Sequence, residues 1–542
     1  MREPQSSLGS QYDCGPNDKK SFKRVGCQVN SGSSLLHCRI SVIAPRTFMA
    51  AGLALAATSF ESISAEWVTQ PAVSASSYYT DNVCLAPDDE EGKFVGIFTP
   101  SIRMSGTGAR ARMALQAAAQ YNTLGDSDIR CNNQGFGGFL RNREAWVPRI
   151  NFAGSVDAVD NWLVLDATAR ASQNPINPFA AGGSENLNAL GNTNITYQYG
   201  AGATISRQYR NNLNYLLRYN YTEQYNSVNV GFGDSQQDLV VFDAGMIPAA
   251  TRLSFRVAAQ YQEVTFEEQG ALPEFTNRLA RAEVNSIFRV TDDWSLDARI
   301  GEEDNVFTSQ SDDVDGSYWD AGIRWAPNAR VTVGVGYGER FFGNAPRADV
   351  SYRHKRSSLT ASFLRSVQFP RNLRAGDQRD LPDNVDPVDP GFLPGDDIGS
   401  ISTPTFIGNQ PILNDRFTLR YDFTARRTNF SLALTESQQT VFANDREGTF
   451  RNAQASVTRR LSGKTSAFLR YRWQENRQDN AVVDNLQPQG FESSQYTVGV
   501  TRRLSPQFRT VLQYRYTDQQ GNQEANGFIE QRVILSFNYR FR

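Results

Sequence analysis

The final stretch of the chain, FIEQRVILSFNYRFR (residues 528–542), alternates between apolar and polar side chains. A period of two places such side chains on opposite faces of a β-strand. The apolar, aromatic face would carry Val533, Leu535, Phe537, Tyr539 and Phe541. In a soluble sandwich this face would meet a second sheet, whereas in a bilayer it would meet lipid. The end of the chain therefore predicts a β-strand with one apolar face, and the rest of the sequence must decide what covers that face.

The same alternating unit recurs along the chain, most clearly in SVTRRLSGKTSAFLRYRW (456–473) and GVTRRLSPQFRTVLQYRY (499–516). In each copy the RRLS segment separates two alternating runs and marks a short turn. A propeller blade would need four short strands in each unit. Two long strands in each unit are typical of tilted strands that cross a membrane.

We expect one antiparallel transmembrane β-barrel of about 20–22 strands, which makes the chain an all-β protein. The predicted connections are short on one side and long on the other, as in outer-membrane barrels. A soluble β-solenoid is the alternative, but it would not show this asymmetry. A mean hydropathy of -0.49 does not exclude a membrane barrel, because alternating strands average to a low value.

An apolar run, FMAAGLALAATSF (48–60), precedes the first predicted strand. It is too short to span a bilayer, and basic residues lie before it. The segment Ile63–Ala65 resembles a small-residue cleavage site. We therefore predict a leader with a cleavable signal peptide over residues 1–65 and the barrel over residues 66–542. A membrane anchor is less favoured, because no charged segment of the stop-transfer kind follows.

The charge balance and the cysteines constrain the compartment and the partners. The chain has a net charge of -2, and its predicted leader is basic, so the chain without the leader is more negative still. This balance does not predict binding to nucleic acid. Cys84 and Cys131 are the cysteines that remain after the leader. Both are predicted on the outer side of the barrel, where an oxidising environment makes a disulfide between them reasonable.

Catalysis finds little support in the sequence. After the leader only His354 remains among the histidines, and its predicted place is a short periplasmic turn. A hydrolase would need a nucleophile activated by a positioned base, and no Cys/His spacing predicts a metal site. We therefore predict that the chain is not an enzyme and uses no cofactor. A transporter with a plug domain before the barrel is also not expected, because the first strand follows the leader closely.

The polar face of the predicted strands is rich in arginine rather than lysine. Guanidinium groups offer a planar set of donors that suits an anionic or hydroxyl-rich polymer. The candidate contacts in the lumen are Arg218, Arg256, Arg281, Arg324, Arg420, Arg470, Arg515 and Arg540. The alternative is that arginines pair with acids of neighbouring strands, such as Glu283, Asp320, Asp349 and Asp422, and simply fill a polar interior.

The longest predicted outer loop, residues 368–414, is rich in proline and aspartate. A wide barrel is either an open channel or plugged. We hypothesise that this acidic loop folds inward against the arginines and gates the lumen, and the alternative is a surface loop. The candidate gating residues are Asp377, Asp380, Asp383, Asp386, Asp389, Asp396 and Asp397.

Two stretches carry a resemblance to a known family: NVCLAPDDEEGKFVGIFTPSIRMSG (82–106) and DGSYWDAGIRWAPNARVTVGVGYGERFFGNAPRADVSYRHKRSSLTASF (315–363). The chain resembles the outer-membrane barrel proteins associated with PEP-CTERM/exosortase and exopolysaccharide gene clusters, over most of its length after the leader. The resemblance implies an outer-membrane protein of a Gram-negative bacterium that is linked to export or surface display of exopolysaccharide. It supplies no catalytic residues.

Three functions follow as expectations. The first is a channel or polymer-binding barrel for an anionic or neutral exopolysaccharide, with lipid and other secretion components as partners. The second is a non-transporting scaffold for surface-anchoring machinery, and the third is a general diffusion porin.

Overall fold

The computed structural model of the protein describes residues 66–88, 90–124, 145–180, 192–209, 213–227, 233–246, 252–268, 274–308, 314–371, 405–406, 410–478, 489–522 and 527–541. The predicted leader and signal peptide over residues 1–65 lie outside the described residues.

The described chain is built of β-strands that follow one another as hairpins. The first half comprises β1 Glu66–Thr80, β2 Lys93–Thr107, β3 Ala111–Asn122, β4 Trp146–Val159, β5 Leu163–Pro175, β6 Thr193–Tyr209, β7 Leu213–Asn226, β8 Ser235–Met246, β9 Leu253–Phe266, β10 Phe275–Arg289 and β11 Trp294–Val306. The second half comprises β12 Gly316–Asn328, β13 Val331–Arg340, β14 Gly343–Asn344, β15 Arg347–His354, β16 Ser357–Gln368, β17 Ile412–Thr424, β18 Thr428–Val441, β19 Arg446–Arg460, β20 Thr465–Gln478, β21 Gly490–Arg503, β22 Phe508–Gly521 and β23 Phe528–Arg540.

Each long strand pairs antiparallel with the next, and the first strand closes on the last. The closing ladder of β1 and β23 runs from Ala72 opposite Arg540 to Thr80 opposite Arg532. The two-residue β14 only bridges the connection between β13 and β15. The remaining 22 strands of the 23-stranded sheet form one closed barrel, which confirms the predicted all-β transmembrane barrel. Among the described residues, no helix is long and apolar enough to cross a membrane.

The burial pattern of β23 assigns the two faces of the barrel wall. Val533, Leu535 and Phe537 are 38–48% exposed, whereas Arg532, Ser536 and their even-numbered neighbours are buried. A closed barrel exposes apolar side chains to lipid and turns polar ones inward. Residues directly opposite each other in a ladder share a face, so the registers carry this assignment around the barrel.

The short turns on one side owe their form to hydroxyl side chains. In the two RRLS turns, Ser462 Oγ accepts hydrogen bonds from the backbone N–H groups of Lys464 and Thr465, and Ser505 Oγ does the same for Gln507 and Phe508. Serine is favoured there because its hydroxyl satisfies turn N–H groups that no strand pairs. The repeated sequence thus makes a repeated turn, as predicted.

The connections fall on the two sides that the sequence predicts. Short turns join β15 to β16 and β19 to β20, and His354 ends β15 beside such a turn. The longest gap between strands lies between Gln368 and Ile412. We refer to the side with the short turns, where Glu66 begins, as periplasmic, and to the other as outer.

At its outer edge the lipid face ends in a row of charged side chains. Arg451 on β19 bonds Glu436 on β18 and Glu475 on β20, both at 3.1 Å. Trp473 Nε1 donates to Glu492 Oε1 over 2.7 Å beside this row. Aromatic side chains that bear a polar group suit the boundary between hydrocarbon and water, so this row marks where the apolar band stops.

The face assignment predicts different costs for the same substitution on opposite faces. Leu512, which is 53% exposed on the apolar face of β22, replaced by arginine is expected to lower the free energy of unfolding in a bilayer by about 2–4 kcal/mol, because a charge would face hydrocarbon. The check is urea-induced unfolding in lipid vesicles.

The control is Ser362→Arg, because Ser362 is exposed on the inward face of β16 beside Asp349. A change within about 0.5 kcal/mol is expected there. Equal costs at the two positions would contradict the assignment.

Candidate functional site

The candidate site is the lumen wall, and the structure turns the predicted arginines toward it. By strand parity and register, the following side chains face inward: Arg218, Arg256, Arg281, Arg324, Arg420, Arg470, Arg515 and Arg540. Arg324 and Arg540 lie near the periplasmic ends of their strands. Contact with a polymer remains a prediction for all of them.

Several of these arginines have acidic or amide partners on the wall. Arg256 lies 2.5 Å from Asp243 on the next strand, and Arg218 lies 3.8 Å from Asp166. Arg420 pairs with Asp422 two residues along the same strand at 2.8 Å. Arg281 donates to Gln260 Oε1 at 2.9 Å. Of these four contacts, only the Arg256–Asp243 pair joins an arginine to an acid of an adjacent strand.

A denser ion network lies on β11, β12 and β15, around an arginine that the sequence prediction does not include. Arg347 bonds both Asp297 and Asp320, and it lies 2.7 Å from Asp320 Oδ1. Arg299 lies 3.3 Å from the same carboxylate. β15 is not adjacent to β11 or β12 in the sheet. The side chains of the network must therefore extend along the inner surface of the barrel, over the strand between them. Alternation alone places Arg347 inward, but it cannot show these contacts.

Glycine makes room for this network. Gly336 lies directly opposite Arg347 in the ladder. A Cβ atom at Gly336 would lie 2.6 Å from Arg347 Cζ, and one at Gly322 would also collide with the guanidinium group. A strand glycine often marks a close approach of other atoms to the backbone. Here it lets a long side chain lie flat on the wall.

The wall of β20, β21 and β22 differs in charge from the paired sector. In the described part of the chain these three strands turn no carboxylate inward. The inward basic side chains there are Arg470, Arg472, Arg503, Arg509 and Arg515. We call these strands the arginine sector. Within the described chain, the charged side chains that these three strands themselves turn inward are therefore all arginines.

The arginine sector continues into β23 through a pair of like charges. Arg515 lies directly opposite Arg532, and both side chains are buried. Arg532 Nε donates to Glu530 Oε1 at 2.5 Å, and Thr80 Oγ1 donates to the same oxygen at 2.6 Å. The guanidinium group of Arg532 also lies 5.4 Å from the centroid of the Tyr78 ring. Cation–π contacts of this kind stabilise a cation away from water.

The outer mouth of the lumen is crossed by chain segments that meet the opposite wall. Phe179, which follows β5, packs against Phe406 and against Phe450 of β19, with ring centroids 5.7 and 5.3 Å apart. Asn476 of β20 donates to the backbone oxygen of Pro178 at 2.5 Å. Because β5 and β19 lie far apart around the barrel, this contact spans the mouth. We call it the outer aromatic closure.

Two further contacts cross the mouth at other places. Phe442, which follows β18, packs against Phe307 and Phe341, with centroids 5.4 and 5.9 Å apart. Phe369, which follows β16, is fully buried against Val264 and Phe266 of β9. Aromatic contacts that span the mouth of the barrel narrow the opening between the lumen and the outer side.

Two predictions reach beyond the described residues. The predicted gating aspartates between Asp377 and Asp397 lie in residues 372–404, which the structure does not describe, so the gating hypothesis stays a prediction. Cys84 is disulfide-bonded. Cys131 lies outside the described residues, and its pairing with Cys84 stays a prediction.

The described residues offer no assembled catalytic or metal centre. His354 lies at the exposed end of β15, 6.5 Å from the Tyr352 ring. No group of three or more His, Cys, Asp or Glu side chains within the described ranges is placed to hold a metal ion. The inward face of the described strands presents hydrogen-bonding and charged side chains along the lumen.

No protein-family model and no curated protein matches the chain. Among solved structures, the siderophore receptor PirA from Acinetobacter baumannii shares 10% identity, with 87% of this chain and 80% of that chain covered and a TM-score of 0.49. The FrpB iron transporter from Neisseria meningitidis shares 11% identity over 87% and 82%, with a TM-score of 0.47. Similarity at this level transfers no function to this chain.

The ion network generates a prediction about stability. Replacing Arg347 with methionine is expected to lower the free energy of unfolding by on the order of 2 kcal/mol, because Asp297 and Asp320 would lose their shared partner. The check is the urea midpoint in vesicles.

Arg420→Met is the matched control, because the Arg420 side chain is 64% exposed and pairs with only one acid. A loss of no more than about 0.5 kcal/mol is expected there. A larger loss at Arg420 than at Arg347 would contradict the importance of the network.

Proposed function

We propose that this protein is an outer-membrane barrel of a Gram-negative bacterium that binds an acidic exopolysaccharide and conducts it through its lumen. The structure itself defines a transmembrane barrel, and the polymer and the compartment are the proposal. The polymer would move along the arginine sector, where each guanidinium group offers several donors to carboxylate and hydroxyl oxygens.

The observation that carries the proposal is the row of arginines that β20–β22 turn toward the lumen. Ion pairs such as Arg256 with Asp243 lie on one side of the lumen wall, whereas the charged side chains that β20–β22 themselves turn inward are all arginines. A polar interior alone would not require such an asymmetry. A track of cations along neighbouring strands suits a long anionic ligand better than a small solute, because repeated weak contacts add up along a polymer.

The resemblance of residues 82–106 and 315–363 to barrels associated with exopolysaccharide gene clusters supports the same proposal. It implies other secretion components and lipid as partners, and they are part of what is proposed. Within the described chain the short turns would face such components in the periplasm.

A second candidate function is a scaffold with a closed lumen that holds surface-anchoring machinery. The outer aromatic closure favours it, because Phe179, Phe406 and Phe450 lie where a polymer would leave the barrel. The two candidates differ in whether these contacts open.

Deleting the gene is expected to reduce released and cell-bound polysaccharide. The measurement is the amount of each fraction, with the wild-type gene restored as the reference. Complementation with the double variant Arg470→Gln and Arg472→Gln should restore less polymer than complementation with Arg502→Gln, a control on the outward face of β21. Unchanged polysaccharide in the deletion strain would remove the export function.

Planar-bilayer recordings separate the channel from the scaffold. Phe179→Ala is expected to raise single-channel conductance at least about twofold, because it removes aromatic contacts of roughly 1 kcal/mol each from the closure. Phe537→Ala, on the lipid face, is the control and should leave conductance unchanged. If neither the wild-type protein nor Phe179→Ala conducts, the scaffold is the better description.

A further inference from the structure

An arginine that the sequence prediction does not include lies buried at the outer end of the lumen. Arg371 follows β16 by three residues and is 2% exposed. Its Nη2 atom donates to the backbone oxygen of Thr222 on β7 at 3.3 Å. Phe369, two residues earlier, is packed against Val264 and Phe266 of β9. The short segment 369–371 is therefore anchored on the wall formed by β7 to β9.

Two nitrogen atoms of this guanidinium group are buried and unsatisfied within the described part of the chain. Among the described residues, neither Nε nor Nη1 of Arg371 has a hydrogen-bond partner, and no carboxylate pairs with it. Burial lowers the pKa of Arg371 to about 9, since loss of water disfavours the charged form. A buried cation without a counter-ion is rare, because its desolvation is costly.

Two further unsatisfied polar atoms lie on the wall that anchors this segment. Gln224 Oε1 and Ser235 Oγ are buried without a hydrogen-bond partner among the described residues. The two residues lie directly opposite each other in the ladder between β7 and β8, and Ser235 is also opposite Phe266. Unsatisfied groups on both elements of one contact indicate a place where a polar ligand completes the hydrogen bonding.

The wall around this place carries neutral hydrogen-bonding side chains. Over the outer halves of β6 to β9 the inward residues are mostly amides and hydroxyls. They include Asn194, Thr196, Gln198, Asn220, Thr222, Gln237 and Gln262. No inward side chain of these stretches is charged. The segment 369–371 thus places the cation of Arg371 against a neutral surface of amide and hydroxyl side chains.

We infer that Arg371, Gln224 and Ser235 form a binding site for the carboxylate group of an acidic sugar. The guanidinium group holds the carboxylate, and the Ser235 hydroxyl and the Gln224 amide bond the neighbouring hydroxyl groups. The inference rests on the proposed function and deepens it, because it names a uronic acid as the unit of the polymer that the outer end of the lumen recognises.

The experiment measures binding to the purified full-length protein in detergent, by titration calorimetry and by the shift of the thermal midpoint. The probes are galacturonate, galactose as its neutral counterpart, and acetate as a carboxylate without a sugar. Wild-type protein is expected to bind galacturonate most tightly, acetate more weakly and galactose least. Arg371→Met should weaken the binding of galacturonate at least about tenfold, since a charge-assisted hydrogen bond is lost.

Ser235→Ala is the milder variant. It should weaken the binding of galacturonate about threefold and leave the affinity for acetate unchanged. Arg502→Met, at an exposed arginine on the outward face of β21, should leave all three affinities unchanged. Equal affinity of wild-type protein for galactose and galacturonate, or equal galacturonate binding by Arg371→Met, would overturn the site.

These outcomes are independent of the proposed transport function. A protein that binds galacturonate through Arg371 but conducts nothing would keep this site and remove transport. A protein that conducts but does not bind galacturonate would do the reverse.

Discussion

The backbone hydrogen bonds between β1 and β23 are the interaction on which the rest of the structure depends. Hydrocarbon offers no partner for a free N–H or C=O group, so an open sheet edge in lipid is not tolerated. Once Ala72 to Thr80 pair with the last strand, each of the 22 barrel strands has two neighbours. Within each strand, the alternation of side chains separates those that face lipid from those that face the lumen. Closure therefore brings the polar faces of all these strands together around one lumen.

The fold was largely predictable because alternation of apolar and polar residues identifies a β-strand and also assigns its two faces. Val533, Leu535 and Phe537 show the lipid face in the sequence as plainly as in the structure, and the RRLS segments mark real turns. The same alternation turned Arg218, Arg420 and Arg470 inward. The sequence of a single strand is enough to assign its two faces, so the neighbouring strands need not be known.

The partners of the inward side chains were not predictable, for a physical reason. Whether Arg347 reaches Asp297 depends on the stagger between strands and on the space left by Gly322 and Gly336. Arg371 lay outside every alternating run, because its place depends on where the chain goes after β16. Phe179 and Phe450 likewise meet only because segments distant in the sequence cross one opening. Such contacts are properties of the closed ring, and no local pattern encodes them.

The outer aromatic closure has a consequence for the order in which the molecule is built. Phe179 follows the fifth strand, but Phe450 lies on β19 and the Pro178 oxygen is held by Asn476 of β20. During membrane insertion the early segment has no surface to rest on until these late strands are in place, and contacts so distant in sequence form slowly. A barrel that lacks its last strands therefore has both an unpaired edge and an uncovered mouth. The outer aromatic closure therefore forms only in a barrel whose last strands have been assembled.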